Sequence, residues 1–338
     1  MLQQPWRSGS VGALAVLAGA LLLGASACSS AGTASSASTA PSKGAATTAP
    51  LASMPSTFVA RPPTTPSPAP ASTPVASPVD LAGLSGTIVY STEVGGSQDV
   101  FRLRLDGSVP VRLTNGPEEE FDPDLSPDGT TIAYRRNPRS GSDEADIWTM
   151  HLDGSAKRNL TNAPELSNWA PAWTPDGRIA FSSMRGTTGA LELWTMAADG
   201  SDARRVTEGW CEYAQPSPDG SQFVCAAAVG RRYDIVVVDA SGSRRPLTTT
   251  PVTEFAPSWS PDGQWVAYSR DTVDRWELLR IRPDGSDEQS IAEEGVFSTW
   301  DPAGHVVWSG PGGINVANAD GSGRMALDYP AMFVSWGP

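Results

Sequence analysis

The chain has 338 residues, of which 33 are Gly, 30 are Pro and 12 are Trp, with 18% charged residues and a net charge of −13. So much Gly and Pro cuts a chain into short segments, which excludes helical bundles and coiled coils. Arg7, Lys43, Arg61 and a single acid precede position 81, so residues 81–338 hold 21 basic against 36 acidic side chains. A surface that negative repels phosphate backbones and argues against a nucleic-acid partner.

Residues 1–27 predict a secretory signal. A weakly basic start leads into an apolar stretch over 11–23, too short to span a bilayer, and then into Ala25-Ser26-Ala27-Cys28. Two readings fit that end. Small residues before a Cys resemble the lipobox of bacterial lipoproteins, in which Cys28 is acylated and becomes the mature N-terminus, although Ala25 stands where the lipobox favours Leu. Ala-Ser-Ala also suits ordinary cleavage. We expect the lipoprotein form, because an unpaired Cys at a cleavage site has no other evident purpose. From 28 to 80 the chain is almost all Ala, Ser, Thr and Pro, which buries too little apolar surface to order itself and predicts a disordered tether. The expected location is therefore extracytoplasmic, with a lipid anchor on the outer face of the cell membrane.

A five-residue motif then recurs: Leu125-Ser-Pro-Asp-Gly129, Trp173-Thr-Pro-Asp-Gly177, Pro216-Ser-Pro-Asp-Gly220, Trp259-Ser-Pro-Asp-Gly263 and a degraded Trp300-Asp-Pro-Ala-Gly304. Pro supplies the fixed φ of a tight turn and Gly the unrestricted position after it. Each turn precedes a short apolar run such as Trp265-Val-Ala-Tyr268. Further on, an acid opens a strand that ends seven residues later in Asp-Gly: Asp99/Asp106, Asp146/Asp153, Glu192/Asp199 and Glu277/Asp284, with Asp234 followed by Ser241-Gly242. The Gly spacing of 48, 43, 43 and 41 residues is that of a four-stranded propeller blade. At the ends, Ser335-Trp-Gly-Pro338 matches Ser258-Trp-Ser-Pro261, and 85–90 matches the run that follows such a turn. The last strand should therefore complete the first blade. The prediction is an all-β, six-bladed propeller over 81–338, closed by its C-terminal strand.

On these motifs residues 85–338 resemble the TolB-type, WD-like propellers. The resemblance implies a protein partner in the cell envelope. TolB has an additional N-terminal α/β domain, and here the signal and tether stand in its place, so the expectation is a lipoprotein variant lacking that domain.

Chemistry has few candidates. His151 and His305 have no His or Cys at metal-ligand spacing, and no nucleophile elbow, phosphate loop or dinucleotide glycine pattern occurs. The strand-opening acids recur once per blade, which suits turn caps and backbone acceptors better than a catalytic ring. The informative set precedes each Pro-Asp-Gly turn: Glu120-Phe121-Asp122, Asn168-Trp169, Glu212-Tyr213 and Glu254-Phe255. In a propeller these positions surround one mouth of the central tunnel. The loops between second and third strands should rise there with Arg135, Arg136, Arg139, Arg185, Arg231, Arg232 and Arg275. An acidic centre, an aromatic ring and an Arg rim suit docking of a protein or peptide segment by a monomeric, non-enzymatic module without a cofactor. A receptor for a glycan, a peptide or Ca²⁺ held by Glu120, Asp122, Glu212 and Glu254 is the alternative, and an envelope hydrolase or lyase a third. Cys211 and Cys225 flank one hairpin in an oxidising compartment. A simple register sets Cys225 nearer Tyr213, so their pairing requires a bulge or a local shift.

Overall fold

The computed structural model describes residues 84–138, 144–163 and 166–337. Cys28, the signal, the tether and Arg139 lie outside the described residues. Six four-stranded antiparallel sheets follow one another along the chain. The first blade holds β1 (Thr87–Val94), β2 (Ser97–Arg104) and β3 (Val111–Arg112). The second comprises β4 (Glu119–Leu125), β5 (Thr131–Asn137), β6 (Asp146–His151) and β7 (Arg158–Asn159), and the third β8 (Asn168–Trp173), β9 (Ile179–Ser183), β10 (Glu192–Met196) and β11 (Arg204–Arg205). The fourth has β12 (Glu212–Pro216), β13 (Gln222–Val229), β14 (Arg232–Asp239) and β15 (Arg244–Pro246), and the fifth β16 (Glu254–Trp259), β17 (Val266–Asp271), β18 (Trp276–Ile281) and β19 (Gln289–Ala292). The sixth is β20 (Val296–Trp300), β21 (Val306–Gly310), β22 (Gly313–Ala317) and β23 (Met325–Ala326), after which β24 (Phe333–Gly337) pairs with β1 in the register Thr87↔Gly337 to Ser91↔Phe333. The predicted closure is therefore present. It leaves no blade of the ring without its inner strand, which removes the open edge a chain of repeats would otherwise expose.

The two sequence markers are turns of defined chemistry. In the fifth blade Ser260 donates to Asp262 (2.6 Å), Asp262 accepts the Gln264 N–H (3.0 Å), and Trp265 N–H bonds Ser260 Oγ (2.9 Å). The degraded sixth turn moves its acid two places earlier: Asp301 takes the His305 backbone N–H at 2.7 Å and faces the ring Nδ1 at 2.6 Å. Three of the strand-opening acids tie the start of the third strand to the fourth strand or the adjoining loop, while Asp234 pairs with Arg232 on its own strand. Asp99 meets Arg112 (2.6 Å) and Thr114, Asp146 accepts from Asn159 and Thr161, and Glu192 from Thr188 and Arg205. Their recurrence is structural.

In every blade but the first, the Gly that ends the third strand's turn packs against the preceding blade, whereas Gly107 has open space beside it. At Gly321, φ is +80° and an added Cβ would lie 2.2 Å from the Ile291 carbonyl oxygen, whereas at Gly95, with φ +68°, it would meet nothing within 4 Å. Gly321→Ala is expected to cost about 3 kcal/mol, from backbone strain plus overpacking. Gly95→Ala should cost about 1 kcal/mol, from strain alone. Denaturant unfolding of the two variants checks this, and equal losses would refute the role given to the blade contact.

Cys211 and Cys225 are disulfide-bonded with Cα atoms 5.4 Å apart. The shift that the pairing requires is present, since β12 changes register against β13 between Glu212 and Gln215.

Candidate functional site

The inner strands β4, β8, β12, β16, β20 and β24 stand next to one another around the axis. The register Glu120↔Arg136 and Glu254↔Arg270 sets the start of each inner strand beside the hairpin joining its second and third strands, so both rise on one face. Just inside that face, five of the six inner strands carry a bulge with a non-Gly residue at positive φ: Asp122, Ala170, Tyr213, Ala256 and Phe297. Such conformations cost energy, and the surrounding sheet holds them. In the second, third and fifth blades the bulged residue follows the aromatic and precedes a Pro. The fourth and sixth are one residue shorter, and there the aromatic itself takes the bulge.

The bulges turn aromatic rings into the mouth. Phe297 and Phe333 have centroids 4.1 Å apart, Tyr213 lies 4.7 Å from Phe255 and stacks on Phe333 at 6.2 Å, and Phe121 meets Phe333 edge-on at 6.1 Å. Trp169 adds the sixth position through Arg135, whose guanidinium lies 4.8 Å from the Trp169 ring and 4.4 Å from Phe121. Tyr233 and Trp210 continue the series outward at 5.7 Å from Phe255 and 6.3 Å from Tyr233. Phe297 and Phe333 fall outside the sequence pattern, which pairs a polar residue with the aromatic that follows it. In the sixth and first blades Val296 and Met332 hold that place.

The predicted acids sit differently from the expected open acidic centre. Glu120, Asn168, Glu212 and Glu254 are all buried. Glu254 pairs with Arg270 and accepts from Thr250, Glu212 accepts from Trp210 Nε1 at 3.2 Å, Glu120 stands 3.4 Å from Arg136, and Asn168 accepts from Ser183. Burial pushes the Glu120 and Glu212 carboxyls up to about 7, against the pull of the Thr114 hydroxyl on Glu120 and of Trp210 on Glu212. Arg135 is likewise part of the plug rather than the rim: it is 1% exposed, 3.2 Å from Asp122, whose carboxyl burial also raises.

Beneath the rings lies a cavity of about 70 Å³ lined by Asp122, Asp124, Gln215, Ser258, Ser298 and Ser335. Asp124 accepts the Trp173 N–H at 2.6 Å and the Ser335 hydroxyl at 2.7 Å, and burial lifts it to about 6. Such a space takes a few waters, well short of the several hundred Å³ of a typical ligand site. Among the described residues no three or more His, Cys, Asp or Glu side chains are grouped to hold a metal ion.

The mouth face also carries exposed aliphatics. Val94, Met184, Val229 and Val273, between 37% and 90% exposed, all sit on hairpins joining second and third strands. The rim arginines are mostly engaged: Arg136 with Glu118 and the Trp148 ring, Arg232 with Asp234, and Arg275 with Glu293. Arg231 is exposed and has no ion-pair partner among the described residues.

A closed ring of six four-stranded blades is a β-propeller, and with these inner-strand turns it is similar to the TolB-type propellers. Residues 87–230 match the family model described as the Tricorn protease N-terminal beta propeller domain. The crystal structure of TolB from Acinetobacter baumannii superposes with a TM-score of 0.60 at 18% identity, over 75% of this chain and 67% of that one. In sequence, an uncharacterized protein of Agrobacterium fabrum is 30% identical over 131 residues, 38% of this chain and 44% of that protein. The Tol-Pal system protein TolB of Anaeromyxobacter dehalogenans is 37% identical over 93 residues, 27% and 21% of the two chains. The chain thus spans less than half the length of these curated relatives.

Proposed function

We propose that this protein is a non-enzymatic, extracytoplasmic propeller, anchored through an acylated Cys28, that docks a protein or peptide segment of the cell envelope on its mouth face. The observation that carries the reading is that four of the six exposed large aliphatics among the described residues, Val94, Met184, Val229 and Val273, stand on hairpin tips around a mouth where Phe121 and Phe255 stay half-buried, since exposed apolar groups gathered on one face mark a contact surface. Glu120, Phe121, Asp122, Asn168, Trp169, Glu212, Tyr213, Glu254 and Phe255 enter the reading in three roles. Phe121 and Phe255 are half-buried and offer the contact, Trp169 and Tyr213 are buried and fill the mouth beneath them, and the polar groups hold the strand starts that aim the rings. Residues 84–86 join the propeller beside Gly337, at the end of the inner strands away from the mouth. The small cavity disfavours a glycan or peptide threaded through the channel. Both His side chains are bound to turn residues, Ser155 and Asp301.

The test is a cross-linking pull-down from detergent-solubilised envelope with the full chain as bait. One protein should be enriched by the wild type and reduced about tenfold by Met184→Asp and by Phe255→Ala, the loss typical of a contact hot spot. Enrichment indifferent to both changes overturns the site. Retention of Cys28→Ser in the membrane fraction overturns the anchor.

A further inference from the structure

We infer that the cleft between the fourth and fifth blades on the mouth face receives an extended partner segment in which an aliphatic side chain is flanked by carboxylates. The inference rests on the docking role of that face and specifies the chemistry of what docks. The cleft encloses about 360 Å³. One wall is the β13–β14 hairpin with Val229 and Arg231, the other the β17–β18 loop with Asp271 and Val273, and the floor is Pro251, Val252 and Thr253 leading into β16. Its apolar part is unusually open, with Val229 43% and Val273 90% exposed. Val273 is also held at φ +75°, a conformation that β-branched residues avoid. Its N–H is bonded to Asp271 Oδ1 at 3.0 Å, and Thr272 N–H to the Arg275 carbonyl at 2.9 Å, so the loop keeps an aliphatic side chain raised into water.

The charge of the occupant follows from the arginines. Arg135, Arg136, Arg232 and Arg275 each have a carboxylate partner, and Arg185 reaches the Asn168 side chain. Arg231 alone of the described mouth-face arginines has neither, and the one carboxylate lining the cleft, Asp271, is engaged with the Val273 N–H. A free guanidinium beside an aliphatic trough recognises a carboxylate next to an aliphatic side chain, through paired N–H···O bonds and apolar contact. Tyr233, two residues beyond Arg231, meets Phe255 edge-on at 5.7 Å, so a segment leaving the cleft runs onto the aromatic centre.

The experiment selects phage-displayed random dodecapeptides on the full chain, with Arg231→Glu, Val273→Asn and Phe255→Ala as parallel targets. Asn tolerates positive φ, so Val273→Asn removes the aliphatic group while keeping the loop, and thermal melting verifies that all variants are folded. The expected result is enrichment of peptides with Asp or Glu within two positions of Val, Ile or Leu. Recovery should fall about tenfold on Val273→Asn, and Arg231→Glu should select basic residues instead. Enriched peptides without acids, no enrichment at all, or recovery unchanged on Arg231→Glu and Val273→Asn overturns the inference. Recovery lost only on Phe255→Ala leaves the docking face standing while removing the cleft. Self-association of the wild type that Val273→Asn dissolves assigns the cleft to a second copy and likewise overturns it.

Discussion

Opening the Cys211–Cys225 bond is expected to lower stability by about 3 kcal/mol. The two residues are 14 apart in sequence, and closing a loop of that size removes roughly this much free energy from the unfolded ensemble. In a domain of this size the melting temperature should fall by about 6–12 °C. Both Cys are fully buried among Ala180, Leu193, Val236 and Val238, so a polar replacement would add a desolvation cost of its own. The double Cys211→Ala/Cys225→Ala variant avoids that and should melt close to the reduced wild type, separating loss of the covalent link from loss of packing. Either single variant should melt no lower than the double. The bond also fixes the start of β12, whose next two residues are Glu212 and Tyr213, so reduction should broaden the signals of the aromatic centre in NMR before global unfolding. A melting temperature unchanged by reductant, with the bond shown to be open by thiol labelling, would sink this account.

The turns and the closure were legible because they are local: Pro, Asp and Gly at fixed offsets determine a turn whatever lies around them, and a repeated turn spacing determines a blade. Even the degraded Asp301-Pro-Ala-Gly304 kept Pro and Gly, and the acid moved two places did the same work through His305. The mouth was legible in outline but not in its chemistry. Whether Glu120 or Glu254 is displayed or buried depends on Arg136 and Arg270, which stand across from them on another strand, and a polar residue beside an aromatic reads the same in either case. Arg135 was assigned to the rim because it precedes a loop. It is in fact drawn inward by Asp122, Phe121 and Trp169 from two blades. The six-fold aromatic ring shows in the aromatic positions alone, and a pattern with a polar residue at the preceding place leaves out Phe297 and Phe333, which follow Val296 and Met332.

Stability should fall as pH rises from 5 to 8, with Glu212 as the main cause. In the folded protein its carboxyl is pushed up to about 7 by burial, from the ordinary 4.5 of a free glutamate. The folded state therefore binds more protons than the unfolded state across that interval. Its stabilising contribution is fully present below about 4.5 and is lost as pH passes through 7, a swing of about 3 kcal/mol for one group. Glu120, also raised to about 7, and Asp124, raised to about 6, act in the same direction. The turn acids oppose them, but elsewhere on the scale. Asp128 and Asp153, held below the usual value by Ser hydroxyls and backbone N–H groups, and Asp219, lowered to about 2, contribute stability that is present above about 4 and lost on further acidification. The thermal midpoint should therefore peak between about pH 4 and 5.5 and decline toward 8. Glu212→Gln keeps an acceptor for Trp210 Nε1 without the charge, so it should flatten the decline and melt above the wild type at pH 8 while matching it near pH 5. A wild-type midpoint constant from pH 5 to 8, or the same slope in Glu212→Gln, would show that the buried carboxyl is not the titrating group. Because Glu212 precedes Tyr213 at the mouth, the same titration should move the Tyr213 resonances in step with the melting curve. A docking face whose aromatic centre is loosened by deprotonation should then hold its partner more firmly at pH 5.5 than at pH 8, as comparing the pull-down at the two pH values tests directly.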